Sequence, residues 1–263
     1  MPQVHHGSMR HNSGVLSTAS WTILVPLKPP AAAKSRLRGV TGDHEDLVLA
    51  LARSTLSAAA ASPLVGRFVL IGASLPGFES IPDPFGRLNP ALAHAAALID
   101  GPVAALPADL PALRPAELTE ALSSATCRAF VPDFEGTGTV LLAAPTGDLN
   151  PQFGPQSADR HELSGARRLT GAWPTLRRDV DTAVDLKEAI RLGWRYLEPM
   201  QGTVSAFDPD TRSGELLLDD GTPVKFGADA FDLSGLRLLR VGQRLRVEQS
   251  LDGGVEKIAL VTL

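Results

Sequence analysis

The chain has 263 residues, enough for one large and one small domain, and its 44% hydrophobic and 21% charged content suits a packed core in water. A formal net charge of -4, from 29 acidic and 25 basic residues, argues against a protein that coats nucleic acid through a basic face. Cys127 is the only cysteine, which excludes an intrachain disulfide and a thiolate metal cluster. No run approaches the roughly 20 apolar residues that cross a bilayer, so the expectation is a cytoplasmic protein without a membrane partner.

Residues 1–20 lack a long apolar core and read as a flexible tail, not a signal peptide, with His5, His6 and His11 as incidental imidazoles. "WTILVPLKP", Trp21 to Pro29, reads as an interior strand closed by prolines. "DHEDLVLALARSTLSAAAAS" places acidic residues ahead of helically spaced leucines and predicts a helix. "RFVLIGA", Arg67 to Ala73, predicts a second strand, and the turn-rich "FESIPDPFGRLNPALAHAAALID" leads into a second helix. "GPVAAL" is the third strand, a helix starts near Pro115, and "CRAFVPD" and "GTVLLAA" are the fourth and fifth strands. Cys127, in the fourth, reads as a small buried apolar residue.

Strand and helix repeat three times before the pattern loosens. The fold class expected is therefore α/β with a mostly parallel open sheet, whose ligands bind beyond the carboxyl ends of its strands. From Gln201 onward short alternating segments are split by Gly, Pro and Asp turns, which predicts a small all-β barrel. The expected domains are 21–199 and 200–263.

The candidate chemistry lies in the loops after the strands. "GPVAALPADLPALRP" sets Asp109 between two proline turns, either as a turn or helix-start carboxylate or as a metal ligand. In "RRDVDTAVDLKEAI", Asp179 and Asp181 are two apart, so in an extended segment they point the same way, while Thr182 and Asp185 can open the next helix. Carboxylates converging from these two segments suit magnesium bridging phosphates.

The basic counterpart is "VPLKPPAAAKSRL", which holds Lys28, Lys34 and Arg36, two of the chain's five lysines among them. Gly86 and Asn89 in "PDPFGRLNPAL" offer close approach to a ring and an amide for a base edge, or only a turn. Thr139 follows "DFEGTG", and "FGPQSADRH" supplies Gly154, Ser157, Arg160 and His161, a combination suited to a small anion or to local capping. His161 reads as structural or phosphate-contacting, not as a general base. With no Walker loop, G-x-G-x-x-G, G-x-S-x-G or H-E-x-x-H, what remains is phosphoryl-group chemistry carried by positioning, metal and basic side chains.

"VPLKPPAAAKSRL", "IPDPFGRLNPAL", "LPADLPAL", "PDFEGTGTVLLAAP", "FGPQSADRH" and "LRRDVDTAVDL" stand in the order seen in the guanylyltransferase family of coenzyme F420 biosynthesis, which the chain resembles from about Trp21 to Gly193. The resemblance implies a nucleotidyltransferase fold and condensation of GTP with phosphoenolpyruvate or 2-phospho-L-lactate, with release of pyrophosphate. It further implies Asp109 with Asp179 or Asp181 as magnesium ligands, and Lys28, Lys34 and Arg36 along the triphosphate. Gly86 and Asn89 then face guanine; Thr139, Gly154 and Ser157 hold the acceptor, with Arg160 and His161 close by. The chain departs from the family at Ala183 and Val184, where Pro and Glu are usual, at an extra Pro30, and at Phe85 in place of a small residue.

Residues from Gln201 on resemble a cold-shock domain, a family that stacks single-stranded bases on aromatic side chains. Here Ala206 replaces the usual tryptophan, only Phe207, Phe226 and Phe231 remain aromatic, and 7 basic residues face 10 acidic ones. The barrel therefore reads as a packing or dimer-forming module, with Phe226 and Phe231 as core. An RNA-associated regulatory protein is the rival reading, and a transferase for another base or phosphoacid the nearer one.

Overall fold

The computed structural model describes residues 20–40, 44–146, 148–250 and 254–261. All of the expected tail but Ser20 lies outside them. The elements in chain order begin with β1 (Trp21–Leu27), α1 (His44–Ala60), β2 (Val65–Gly72), β3 (Glu79–Ile81), α2 (Leu88–Ala97) and β4 (Val103–Ala105). Then come α3 (Pro115–Ser124), β5 (Ala129–Pro132), β6 (Thr139–Ala144), α4 (Ser157–Leu163), β7 (Arg167–Arg168) and α5 (Ala183–Arg191). The remainder is β8 (Leu197–Asp208), β9 (Ser213–Leu218), β10 (Pro223–Phe226), α6 (Ala228–Leu233), β11 (Arg244–Ser250) and β12 (Val255–Leu260).

Among the described residues, seven strands form one sheet in the order β3-β2-β1-β4-β6-β5-β7. β1 runs parallel to β2 and β4, so their carboxyl ends share one edge. Both faces are covered. Ile23 and Val25 point into a core with Leu56 of α1 and Leu118 of α3, while Leu24 between them packs with Leu92 of α2. That two-sided burial explains why the first strand lacks alternation.

The predicted parallel pattern holds except at β6, which is antiparallel to both β4 and β5 and lies between them. Its reversal brings Thr139, at its start, and Asp133, just past β5, to the same edge as the end of β4. The short β3 was not foreseen. Cys127 is a correction: it precedes β5 and is exposed, because the apolar burial begins only at Ala129.

The second sheet is antiparallel, in the order β10-β9-β8-β11-β12, and it curls so that β10 approaches β12. Its core holds Leu216, Phe226, Phe231 and Leu245. Phe207 lies against Phe231 at 4.9 Å and Phe226 at 6.3 Å between ring centroids, so these aromatics pack inward instead of forming an open stacking platform. Trp194 and Tyr196, stacked at 5.7 Å just before β8, belong to the core around α1, where Trp194 Nε1 donates to Ser54 Oγ. Arg195 pairs with Glu256 of β12 at 2.9 Å.

Candidate active site

Two segments remote in sequence deliver three carboxylates to the carboxyl edge of the large sheet. Asp109 follows β4 in a loop fastened to α1: Thr55 Oγ1 accepts from the Leu110 amide at 2.9 Å and donates to the Leu51 carbonyl. The second segment hangs from α3, where buried Glu117 accepts the amides of Thr175 and Leu176 at 2.9 and 3.0 Å. The Val180 amide then donates to the Asp109 carbonyl, also at 3.0 Å. Val180 is fully buried, so its neighbours Asp179 and Asp181 turn the other way, as the spacing of two predicts. Thr182 and Asp185 close a reciprocal capping box that starts α5 immediately after them.

One oxygen each from Asp109, Asp179 and Asp181 falls within a 4.8 Å cluster. Lys34 enters it from the loop after β1, in a left-handed conformation with φ 50°, and its Nζ donates to both Asp109 and Asp181. Burial opposes the ammonium charge, but Asp109 and then Asp181 outweigh it, and the pKa of Lys34 is raised. One cation does not neutralise the cluster. Burial first, then Asp109 and Asp181, push the Asp179 carboxyl up to about 7. Asp109 Oδ1 is buried with no hydrogen-bond partner. An orphaned carboxylate oxygen, excess negative charge and an all-oxygen donor set fit a hard divalent cation.

The other expected residues distribute around this point. Arg36 lines a cavity of about 210 Å³ together with Asp179, Asp181 and Phe134, whereas Lys28 stands exposed at the end of β1. Gly86 is in a turn of positive φ whose amide is taken by Asp83. Asn89 differs from the expectation of an open amide: its Nδ2 donates to the Phe153 carbonyl at 3.0 Å and its Oδ1 accepts the Phe153 amide at 2.8 Å. It latches the loop that carries Gly154.

Gly154 has φ +122°, a conformation that side-chain-bearing residues rarely adopt and that favours glycine, and a Cβ there would push aside the end of Arg160, whose Nη2 would stand 2.8 Å away. Ser157 is buried at the start of α4. His161, one turn on, is fully buried, with Nδ1 2.9 Å from Thr139 Oγ1 and Nε2 accepting the Gln152 amide at 2.9 Å. Burial, then Arg128 and Arg160, hold its pKa down to about 4, so the ring is neutral at ordinary pH. Thr139, Gly154, Ser157, Arg160 and His161 therefore form one neighbourhood.

No protein-family model matches the chain. It is similar to the phosphoenolpyruvate guanylyltransferase of Salinispora arenicola, 52% identical over 193 residues that cover 67% of this chain and 90% of the relative. The enzyme of the same name from Geodermatophilus obscurus is 48% identical over 199 residues, covering 68% of this chain and 92% of the relative. The chain belongs to the phosphoenolpyruvate guanylyltransferase family. Among solved structures it is similar to a nucleotidyl transferase from Methanothermobacter, 14% identical, with 66% of this chain and 97% of that one covered at a TM-score of 0.49.

In this guanylyltransferase chain several residues beside the site escaped sequence reading. Arg178 stacks its guanidinium over Phe134 at 3.5 Å beside the carboxylates. Arg177 donates to the carbonyls of Pro132 and Asp133 and pins the β5–β6 turn to the aspartate segment. Asp133 in turn accepts the amides of Thr137 and Gly138. The run "LRRDVD" held the only signal for the two arginines, since it attaches both to the carboxylates.

Proposed function

We propose that this chain transfers GMP from GTP to phosphoenolpyruvate, with release of pyrophosphate, as a step in coenzyme F420 assembly. The observation that carries the reading is the convergence of Asp109, Asp179 and Asp181 around Lys34 at the sheet edge that Thr139 also reaches. The names of the relatives favour phosphoenolpyruvate over 2-phospho-L-lactate as acceptor.

Asp109, Asp179 and Asp181 would hold magnesium. A bound magnesium ion polarises phosphate oxygens and offsets their charge. Lys34 and Arg36 receive the triphosphate, and Lys34 turns from the carboxylates towards it. Lys28, exposed at the loop entrance, draws the same anion in. The acceptor is held at Thr139, Gly154 and Ser157, with Arg160 closing over the glycine. One of its phosphate oxygens forms a bond to the α phosphorus of GTP while the bond from that phosphorus to the bridging oxygen breaks, and the electron pair leaves with pyrophosphate. A phosphate anion is already a nucleophile, so no side chain need take a proton and in-line placement supplies the acceleration.

Residues 21–199 constitute the transferase domain in this reading, and 200–263 an OB-like, cold-shock-like barrel serving as a packing or homodimer-forming module. The test is pyrophosphate release from each nucleoside triphosphate against phosphoenolpyruvate and 2-phospho-L-lactate, with and without magnesium. Release is expected with GTP and magnesium only. No release from GTP with either acid overturns the assignment.

A further inference from the structure

His161 has only two polar ring atoms, and their partners differ in kind. The Gln152 main-chain amide, 2.9 Å from Nε2, can only donate, so Nε2 presents a lone pair. A neutral ring then carries its one proton at Nδ1. Nδ1 lies 2.9 Å from Thr139 Oγ1, which must accept there, since a protonated ring nitrogen offers no lone pair. Phe130 and Phe153 flank the fully buried ring at 5.7 and 5.1 Å.

Thr139 Oγ1 is thereby left with its own proton to give elsewhere, at the partly exposed start of β6. The same imidazole grips, through Gln152, the loop that leads to Gly154. We infer that His161 is a positioning residue that occupies one lone pair of Thr139 Oγ1 and so turns the hydroxyl proton towards the pocket, where it favours an acceptor presenting an anionic oxygen, carboxylate or phosphate. This rests on the reading above that Thr139 lines the acceptor pocket.

The test is a double-mutant cycle on the full chain with KM measured separately for GTP and for phosphoenolpyruvate. Asparagine retains a donor near the position of Nδ1; glutamine reaches the position of Nε2 and retains none at Nδ1. His161→Gln and Thr139→Val are each expected to raise the acceptor KM about tenfold or more, the scale of one hydrogen bond to a charged group, with the KM for GTP unchanged. Combined, they should do no worse than Thr139→Val alone, and His161→Asn should raise the acceptor KM less than His161→Gln does. An unchanged acceptor KM in His161→Gln, or strictly additive effects, overturns the inference while the proposed function stands. A native protein inactive with GTP and either acid overturns the function itself. Imidazole ¹⁵N shifts of the native protein give an independent check should the variants fold poorly: a proton on Nε2 would refute the assignment.

Discussion

The amide of Val180 donates to the carbonyl of Asp109 at 3.0 Å, and this main-chain bond brings the two carboxylate-bearing segments together. Because it uses no side-chain atom, Asp109→Asn leaves it intact while removing one charge from the cluster. Pyrophosphate release is expected to fall at least about 100-fold, with the thermal midpoint within a few degrees of native. Normal turnover in this variant would remove Asp109 from the metal site.

Lys34→Met withdraws the only cation among the described residues that hydrogen-bonds within the carboxylate cluster. Counting only the contact with Asp109, since Asp181 is more than half exposed, the metal-free protein should lose about 2 kcal/mol. A divalent ion bound between the three carboxylates would take over the same neutralising role. Calorimetric melting with and without manganese checks this: the deficit should shrink when metal is present, and an equal deficit in both conditions contradicts the counter-ion role.

Metal binding in the absence of nucleotide should release a proton. Asp179, held near 7 by burial and by its two acidic neighbours, is largely protonated at pH 6 and must ionise to bind. Affinity is expected to climb about tenfold per pH unit below 7 and to level off above it. Folding runs the other way. A carboxyl with its folded pKa raised makes the metal-free protein less stable as pH rises from about 4 towards 7. Titration calorimetry in buffers of different ionisation enthalpy reads the proton directly, and Asp179→Asn should abolish it.

His161 acts on stability in the opposite direction. Its folded pKa of about 4 lies below the ordinary 6.5, so the unfolded chain binds the proton first. The neutral ring's contribution is complete above 6.5 and is lost as pH falls towards 4, a difference on the order of 3 kcal/mol. Urea titrations across that window should show the native protein weakening on acidification more than His161→Asn does.

Much of the fold was legible because its signals are local. The unbroken apolar run of β1, the acidic start of α1 and the Thr182 to Asp185 capping box each declare themselves within a few residues. The spacing of Asp179 and Asp181 was equally readable, since Val180 between them had to be buried. Other features depended on partners far along the chain. Nothing near "TVLLAA" marks β6 as the reversed strand, because a strand buried on both faces looks alike in either direction. Asn89 showed an amide but not that the Phe153 backbone, 64 residues on, would use both of its ends. Cys127 looked like core by residue type, and only the later onset of β5 leaves it outside. The stacking of Arg178 on Phe134 needed the β5–β6 turn to fold over the aspartate segment.

The placement of β6 carries a consequence for synthesis. β4 is flanked by β1 on one side and by β6 on the other, so a nascent chain that has not yet emerged through Ala144 has no strand to close that second side. Until then the apolar edge of Val103, Ala104 and Ala105 offers unpaired main-chain groups to any neighbouring extended chain. A chain stalled between β5 and β6 accordingly keeps that side of β4 open to aggregation, and a holding chaperone that covers it should protect the protein during that interval.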